Sequence, residues 1–221
     1  MSRAPGVRRL VTAVGWLLST ALVLLVEVLV PLAWPIPWNP LEQTVSDLGA
    51  VGCGPVAYAD GDRQVCSPWH PLANAGWVLS GLALAAGALT ARGWLTGRAG
   101  AAAVVLLVLT GLSIAATGLA PVDTQPELHL LVAAPAFLTG NAALVLVALV
   151  LRRRSTWLSR TALVLGLVGV VGSVLTTAWV VTDGPLGLWE RLAVYPVQVW
   201  VVLPALVLLR RGTVTAAASP P

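Results

Sequence analysis

The fold class of this chain is decided by the stretch LHLLVAAPAFLTGNAALVLVALVL, residues 128–151. This stretch contains no Asp, Glu, Lys or Arg, and three arginines, Arg152, Arg153 and Arg154, follow it at once. A helix rises about 1.5 Å per residue, so roughly 20 apolar residues cross the hydrocarbon core of a bilayer. The stretch therefore predicts a transmembrane helix.

Five further apolar segments have a similar length, and the composition agrees with them. The 221 residues are 57% hydrophobic and 10% charged, whereas roughly a quarter of the residues of a soluble domain are charged. We therefore predict an all-α, polytopic membrane protein with a single domain, residues 1–211, and a disordered tail, residues 212–221. The predicted spans are residues 10–32, 71–91, 99–119, 128–151, 157–181 and 192–209.

The charges are sorted between the two ends of the predicted helices. Of the thirteen basic residues, all arginines, only Arg63 and Arg191 lie away from the end that holds both termini. Of the nine acids, only Glu27 lies inside a span, and the others lie at the opposite end. Because basic connectors stay in the cytoplasm, we expect a plasma-membrane protein with both termini cytoplasmic. Membrane topology and attraction to anionic lipid head groups explain why the arginines lie at these helix ends. Membrane lipids are therefore the expected partners, and nucleic acid is not.

The longest connector, residues 34–70, lies on the non-cytoplasmic side and holds both cysteines, Cys53 and Cys66. Thiols oxidise on that side, so the pair predicts one disulfide that ties the outer loop between the first two helices. Half of a metal site is the alternative, but no CxxC or CxxH spacing accompanies these cysteines.

Blocks of polar residues lie at the same end as this connector. The blocks are NPLEQTVSDLG at residues 39–49, Ser67-Pro68 with Asn74, His129 with Gly140-Asn141, and ERLAVYPVQVW at residues 190–200. We expect them to form a polar pocket that opens to the outer leaflet, built from the first, second, fourth and sixth helices and the disulfide-tied loop.

These blocks resemble those of the domain of unknown function 998 family, which comprises bacterial and archaeal integral membrane proteins. The resemblance rests on the pattern NPLxxTxSDLG, the SP and Asn pair, the His with Gly-Asn, and the pattern ERLxVYPxxxW. It covers nearly the whole chain. It implies a six-helix membrane protein, and it implies no particular activity.

His129 is the candidate catalytic base. It begins the fourth helix, where the helix dipole and the nearby carboxylates of Asp123 and Glu127 act on its protonation in opposite directions. An imidazole poised in this way suits a general base or a metal ligand. Ser46 as nucleophile, with Asp123 or Glu127 as the acid, would complete a triad. A hydrogen-bonded interfacial histidine is the alternative interpretation.

Ser46 and Asp47 are the other candidate catalytic residues. Adjacent side chains diverge, so the two seldom belong to one triad. In the alternative interpretation, Thr44 or Ser46 caps a short interfacial helix and Asp47 accepts backbone hydrogen bonds in the same turn.

Arg191 needs a partner, because a cation at a helix N-terminus opposes the helix dipole. The candidates are Glu27, Asp47, Asp123 and a ligand anion such as a phospholipid phosphate. An unpaired carboxylate inside a membrane is costly, so we predict a link between Glu27 and Arg191, either structural or lining the pocket. The predicted ligand-binding residues are Arg191, Glu190, Asn39, Asn74, Asp123, Glu127, Asn141, Tyr195 and Glu27.

Two functions follow from these patterns. The first is a lipid-active hydrolase or transferase, with His129 as base and Ser46 or water as nucleophile. The second is a non-enzymatic lipid-binding or accessory subunit, in which the same residues tie the helix ends together. No cofactor is predicted. A metal at His129, Asp47 and Asp123 is an alternative, although zinc sites usually use about three ligands with histidine prominent.

Overall fold

The computed structural model describes residues 4–58, 61–178 and 185–217. Six helices in these residues are long and apolar enough to cross a membrane, so the chain is a multi-pass membrane protein, as the sequence predicts. Their bounds are α1 (Ala4–Leu29), α2 (His70–Thr90), α3 (Gly97–Thr117), α4 (Pro126–Leu151), α5 (Thr156–Ala178) and α6 (Leu186–Ala217).

The bounds of α6 differ most from the predicted span. The helix begins at Leu186 rather than at residue 192, so Glu190 and Arg191 lie within it. Pro185 sets this start, because its carbonyl accepts hydrogen bonds from the amides of Leu188 and Trp189. The helix also continues to Ala217, into the segment from residue 212 that is predicted from the sequence to be a tail. Residues 218–221 and the end of the fifth predicted span, residues 179–181, lie outside the described residues.

The helices form a ring in chain order. Each helix packs against the next, α6 closes the ring against α1, and α4 also touches α6. The approach of α2 to α3 depends on Gly81 and Gly111, since a Cβ built on Gly81 would lie 2.2 Å from the Gly111 carbonyl oxygen. Small residues of this kind allow membrane helices to pack backbone to backbone.

The connector between α1 and α2 adds a β-hairpin to the helical fold. Its antiparallel strands are β1 (Cys53–Tyr58) and β2 (Gly61–Cys66). Cys53 and Cys66 lie opposite each other at its base and form the predicted disulfide. We call the end of the bundle that carries this connector the hairpin end. The Asp123 carboxylate holds the hairpin to the α3–α4 connector by accepting the amides of Val51 and Gly52 at 3.0 and 2.7 Å.

Replacing both cysteines with serine is expected to loosen the hairpin without unfolding the helices. The cysteines are 13 residues apart, and closing a loop of about this size stabilises it by about 3 kcal/mol in the chain-entropy model. Limited proteolysis in one detergent should cleave the C53S/C66S protein faster than wild type between residues 50 and 68. Equal cleavage rates would show that the hairpin does not need the disulfide to stay in place.

Candidate functional site

A short turn at residues 44–49 positions Ser46 at the hairpin end. Thr44 and Asp47 cap each other across it: the Thr44 amide donates to Asp47 Oδ2 at 2.8 Å, and the Asp47 amide donates to Thr44 Oγ1 at 3.1 Å. A 3-10 helix, Ser46–Gly49, follows, and Asp47 and Leu48 are fully buried in it. Asp47 thus accepts a backbone hydrogen bond in this turn, as the alternative interpretation expects, whereas the residue before the 3-10 helix is Val45, which makes no side-chain capping hydrogen bond.

Ser46 lies between α4 and α6. Its hydroxyl oxygen is 2.9 Å from Nε2 of His129 and 2.8 Å from Oε1 of Glu190. Oε2 of Glu190 accepts the Val45 amide at 2.5 Å, and Nδ1 of His129 is 2.6 Å from the Ala120 carbonyl oxygen. His129 and Glu190 are buried. The fold thus brings Ser46 and His129 together in the pairing that the sequence hypothesis requires.

The acid beside this pair is Glu190, which corrects the hypothesis that Asp123 or Glu127 completes a triad. Asp123 serves the hairpin amides instead, and Glu127 is exposed in the first turn of α4. Glu190 reaches Ser46 because α6 begins before it and carries it into the bundle. The group that orients the imidazole is a backbone carbonyl, that of Ala120.

The hydrogen bonds through Ser46 determine where protons can reside. Nδ1 of His129 carries a hydrogen, because the Ala120 carbonyl can only accept. The two contacts of the Ser46 oxygen need two hydrogens, of which the hydroxyl supplies one. The other lies on the Glu190 carboxyl or on Nε2 of His129. When Glu190 holds it, the carboxyl donates to Ser46 and Ser46 donates to an unprotonated Nε2, which is the arrangement of a nucleophile with its base.

A cavity of about 430 Å³ lies against Ser46, His129 and Glu190. This volume falls within the range of small-molecule sites. Its wall is mostly apolar and is completed by Thr44, Ala57, Val122, Pro126, Leu130, Ala133, Ala134, Phe137, Thr176, Thr177 and Leu186. Most of the wall residues belong to α4, α5, α6 and the outer loop. The sequence predicted α1 and α2 in the wall of the pocket and did not predict α5. Nothing in the sequence marked Thr176 and Thr177 as part of a site.

Arg191 joins α1, α6 and the outer loop beside this cavity. Its Nε donates to Oε1 of Glu27 at 2.6 Å, which confirms the predicted link between the two residues. Its Nη1 donates to the carbonyl oxygens of Pro40, Gln43 and Gly187 at 2.6, 2.7 and 2.9 Å. Gly187 permits this approach, since a Cβ there would lie 2.3 Å from the Gln43 carbonyl oxygen. The guanidinium therefore holds the loop that presents Ser46.

Tyr195 supports the same ion pair, because its hydroxyl donates to the second carboxylate oxygen of Glu27. The Trp38 ring faces the guanidinium group, with its centroid 5.8 Å from the guanidinium carbon of Arg191. Within the described residues, Glu27, Arg191 and Tyr195 do not line the cavity, whereas Glu190 does.

The predicted asparagines each bind a neighbouring segment and do not line the cavity. Asn39 accepts the Leu41 amide at 3.1 Å, Asn74 donates to the Gly49 carbonyl at 3.0 Å, and Asn141 donates to Ser173 Oγ at 3.1 Å and to the Ala193 carbonyl at 2.9 Å. Asn74 thus ties α2 to the turn that carries Ser46. Asn141 joins α4, α5 and α6 deeper in the bundle.

Potential metal ligands are dispersed. Over residues 4–58, 61–178 and 185–217, no group of three or more His, Cys, Asp or Glu side chains is close enough together to hold a metal ion. Of the residues in the metal alternative, His129 faces Ser46 and Ala120, while Asp123 faces the hairpin amides. The side-chain contacts of the Ser46 hydroxyl are with His129 and Glu190.

Comparison with known proteins identifies a family without an assigned activity. The family model described as "Protein of unknown function (DUF998)" matches residues 17–207. No curated protein and no solved structure matches the chain. Any statement about activity therefore has to come from the geometry of the site.

Proposed function

The chain belongs to the DUF998 family of proteins of unknown function, and we propose that it is a lipid-active acyl hydrolase or acyltransferase with Ser46 as its nucleophile. The observation that carries the proposal is the 2.9 Å contact between Ser46 Oγ and His129 Nε2 at the wall of a 430 Å³ cavity. Capping does not require an imidazole at a serine hydroxyl, whereas a serine nucleophile is activated by an adjacent base such as histidine.

In the proposed reaction, Ser46 is the nucleophile and His129 carries the proton. Ser46 Oγ attacks the carbonyl carbon of an ester while its proton passes to Nε2 of His129. The tetrahedral intermediate then collapses, the carbon–oxygen bond to the alcohol breaks, and His129 returns the proton to the departing alkoxide. Water, or an acceptor hydroxyl in a transferase, next attacks the acyl-Ser46 ester with His129 again accepting the proton. The free acid or the new ester leaves and Ser46 recovers its hydrogen.

Glu190 keeps Nε2 of His129 unprotonated in this proposal. Its carboxyl donates a hydrogen bond to Ser46, so the Ser46 hydroxyl can donate its own hydrogen to Nε2. In this proposal the Glu190 carboxyl is protonated, so Oε2 accepts from the Val45 amide and Oε1 donates to Ser46 Oγ, which lies 2.8 Å away. Arg191 and Glu27 act on the site indirectly, because they hold the loop that carries Ser46.

The proposed orientation in the membrane is based on the end of the bundle at which most arginines lie. The hairpin end, with its disulfide, lies outside the plasma membrane, and the arginine-rich connectors and both termini lie in the cytoplasm. The cavity is then level with the outer leaflet, and a lipid ester can reach it without leaving the membrane.

An alkyl fluorophosphonate tests the proposal directly, because an activated serine displaces fluoride and retains the phosphonyl group. Protein in nanodiscs is treated with the probe, digested and mapped by mass spectrometry. We expect the label on Ser46 and none in the S46A protein. Ser159 is the matched control, a buried serine whose hydroxyl donates to the Ala148 carbonyl at 2.7 Å, and it should remain unlabelled. A folded protein that takes no label on Ser46 contradicts the proposal.

Two substitutions of Glu190 test its assigned protonation state. Glutamine reproduces the protonated carboxyl, since its oxygen can accept from Val45 and its amide can donate to Ser46. E190Q is therefore expected to keep turnover within about tenfold of wild type, whereas E190A should lose about 100-fold or more. If E190Q is as inactive as E190A, the ionised carboxylate is what the reaction requires.

A second function, that of a non-enzymatic lipid-binding or accessory subunit, has its own supporting observation. Glu190 also bonds to the Val45 amide, and Thr44 and Asp47 cap the same turn, so these contacts hold the loop against α6. In that case S46A and H129A would chiefly lower the thermal stability of the protein in detergent, and wild type would show no turnover to lose.

A further inference from the structure

A second cavity lies beside the first, on the lipid-facing side of α4 and α5. Its volume is about 440 Å³, and its walls are Phe137, Leu138, Ala142, Val170, Ser173, Val174 and Thr177. Phe137 and Thr177 also line the cavity at Ser46. The two spaces are therefore neighbours that share these side chains, and we call the second one the α4–α5 groove.

The α4–α5 groove is apolar along its length. Leu138 and Val174 are 66% and 59% exposed along it. The Ser173 hydroxyl points into the bundle, where it donates to the Gly169 and Phe137 carbonyls at 2.7 and 2.9 Å. From Thr177 to Val170 the groove follows α5 for about 10 Å, by the helical rise per residue. It offers a hydrocarbon chain a continuous surface and offers a charged group no partner.

We propose that the α4–α5 groove holds the hydrocarbon chain of the acyl group that is transferred to Ser46. The inference rests on the proposed function of Ser46 and specifies its substrate class, an ester of a long-chain fatty acid that enters sideways from the bilayer. The chain lies between α4 and α5, the ester carbonyl reaches Ser46, and the alcohol part lies toward Thr44 and Ala57 at the hairpin end.

The positions of the polar side chains indicate which way the hydrocarbon chain of the substrate runs. Ser46, His129 and Glu190 line the first cavity and not the α4–α5 groove, which shares Phe137 and Thr177 with that cavity and runs along α5 to Val170. Lipid tails are as apolar as the side chains of the groove, so a chain gains little free energy by entering it from a bilayer. The groove therefore selects by shape and position, and chain length should affect turnover more strongly than it affects binding.

Filling the groove tests the inference. Ala142 and Val174 are exposed to lipid, so tryptophan at either position can be accommodated by the fold while it occupies the groove. Turnover of p-nitrophenyl butyrate and p-nitrophenyl palmitate is measured for wild type, A142W and V174W in mixed micelles. We expect both variants to lose at least tenfold in palmitate turnover and to stay within about twofold of wild type on butyrate. V105W is the matched control, because Val105 is 52% exposed on α3, away from the groove.

The outcomes separate the inference from the function on which it rests. Equal losses on both esters, or unchanged palmitate turnover in both groove variants, would overturn the assignment of the groove and leave Ser46 as the nucleophile. A selective palmitate loss in V105W as well would also overturn it, because the effect would then belong to any lipid-facing tryptophan. Absence of wild-type turnover on both esters would overturn the proposed function and this inference with it.

Discussion

Replacing His129 with alanine is expected to slow the reaction of Ser46 by at least about 100-fold, because a positioned general base contributes roughly 10²–10⁴-fold to such a step. Without the imidazole, the Ser46 hydroxyl keeps its proton and its remaining neighbour is Glu190. The rate is measured both as fluorophosphonate labelling of Ser46 and as turnover of a p-nitrophenyl ester by protein in nanodiscs. The S46A protein should show neither label at this position nor turnover.

The chain provides a matched control for this substitution in its second histidine. His70 begins α2, its Nδ1 is 2.9 Å from the Ser67 carbonyl oxygen, and it does not line the cavity. H70A should therefore react at the wild-type rate. Folding of each variant is checked by its helical circular dichroism and its melting temperature in the same detergent. A folded H129A protein with wild-type reactivity would remove His129 from the mechanism.

Arg191→Ala is expected to produce the largest loss of stability. The ion pair is mostly buried, with the side chains of Arg191 and Glu27 only 11% and 17% exposed. Removing one partner of a buried pair costs about 3–5 kcal/mol, because the remaining charge is left without compensation. The three carbonyls of the loop and α6 also lose their donor. In a chain of this size the melting temperature should fall by on the order of 10 °C.

Arg63 is the control for Arg191, since both are arginines at the hairpin end. Arg63 is half-buried and donates to the Glu42 carbonyl at 2.7 Å, and R63A should lower the free energy of unfolding by less than R191A does. The R191A/E27Q double variant should recover part of the loss, because it also removes the orphaned carboxylate. If R191A unfolds at the wild-type temperature, the ion pair does not hold the loop.

Much of the site could be anticipated residue by residue, but its arrangement could not. The sequence suggested a pairing of Ser46 with His129 as one hypothesis and predicted that Arg191 would pair with Glu27, and the structure shows both contacts. Each of these residues is conspicuous because a polar group at or inside a membrane requires a partner. Asp123, in contrast, is near His129 in the chain yet bonds to hairpin amides, and proximity in sequence did not reveal that choice.

The sequence by itself determined the number of helices, the sorting of charges between the two ends of the bundle, and the disulfide. Each follows from a local or compositional requirement, namely that lipid admits only helices of sufficient length and that two cysteines permit one bridge. Only the tertiary structure decided that Glu190 is the acid at Ser46 and that α5 lines the cavity. Those contacts depend on the rotation of each helix within the ring, which is set by side-chain packing among helices far apart in the chain and not by the hydropathy of any one of them.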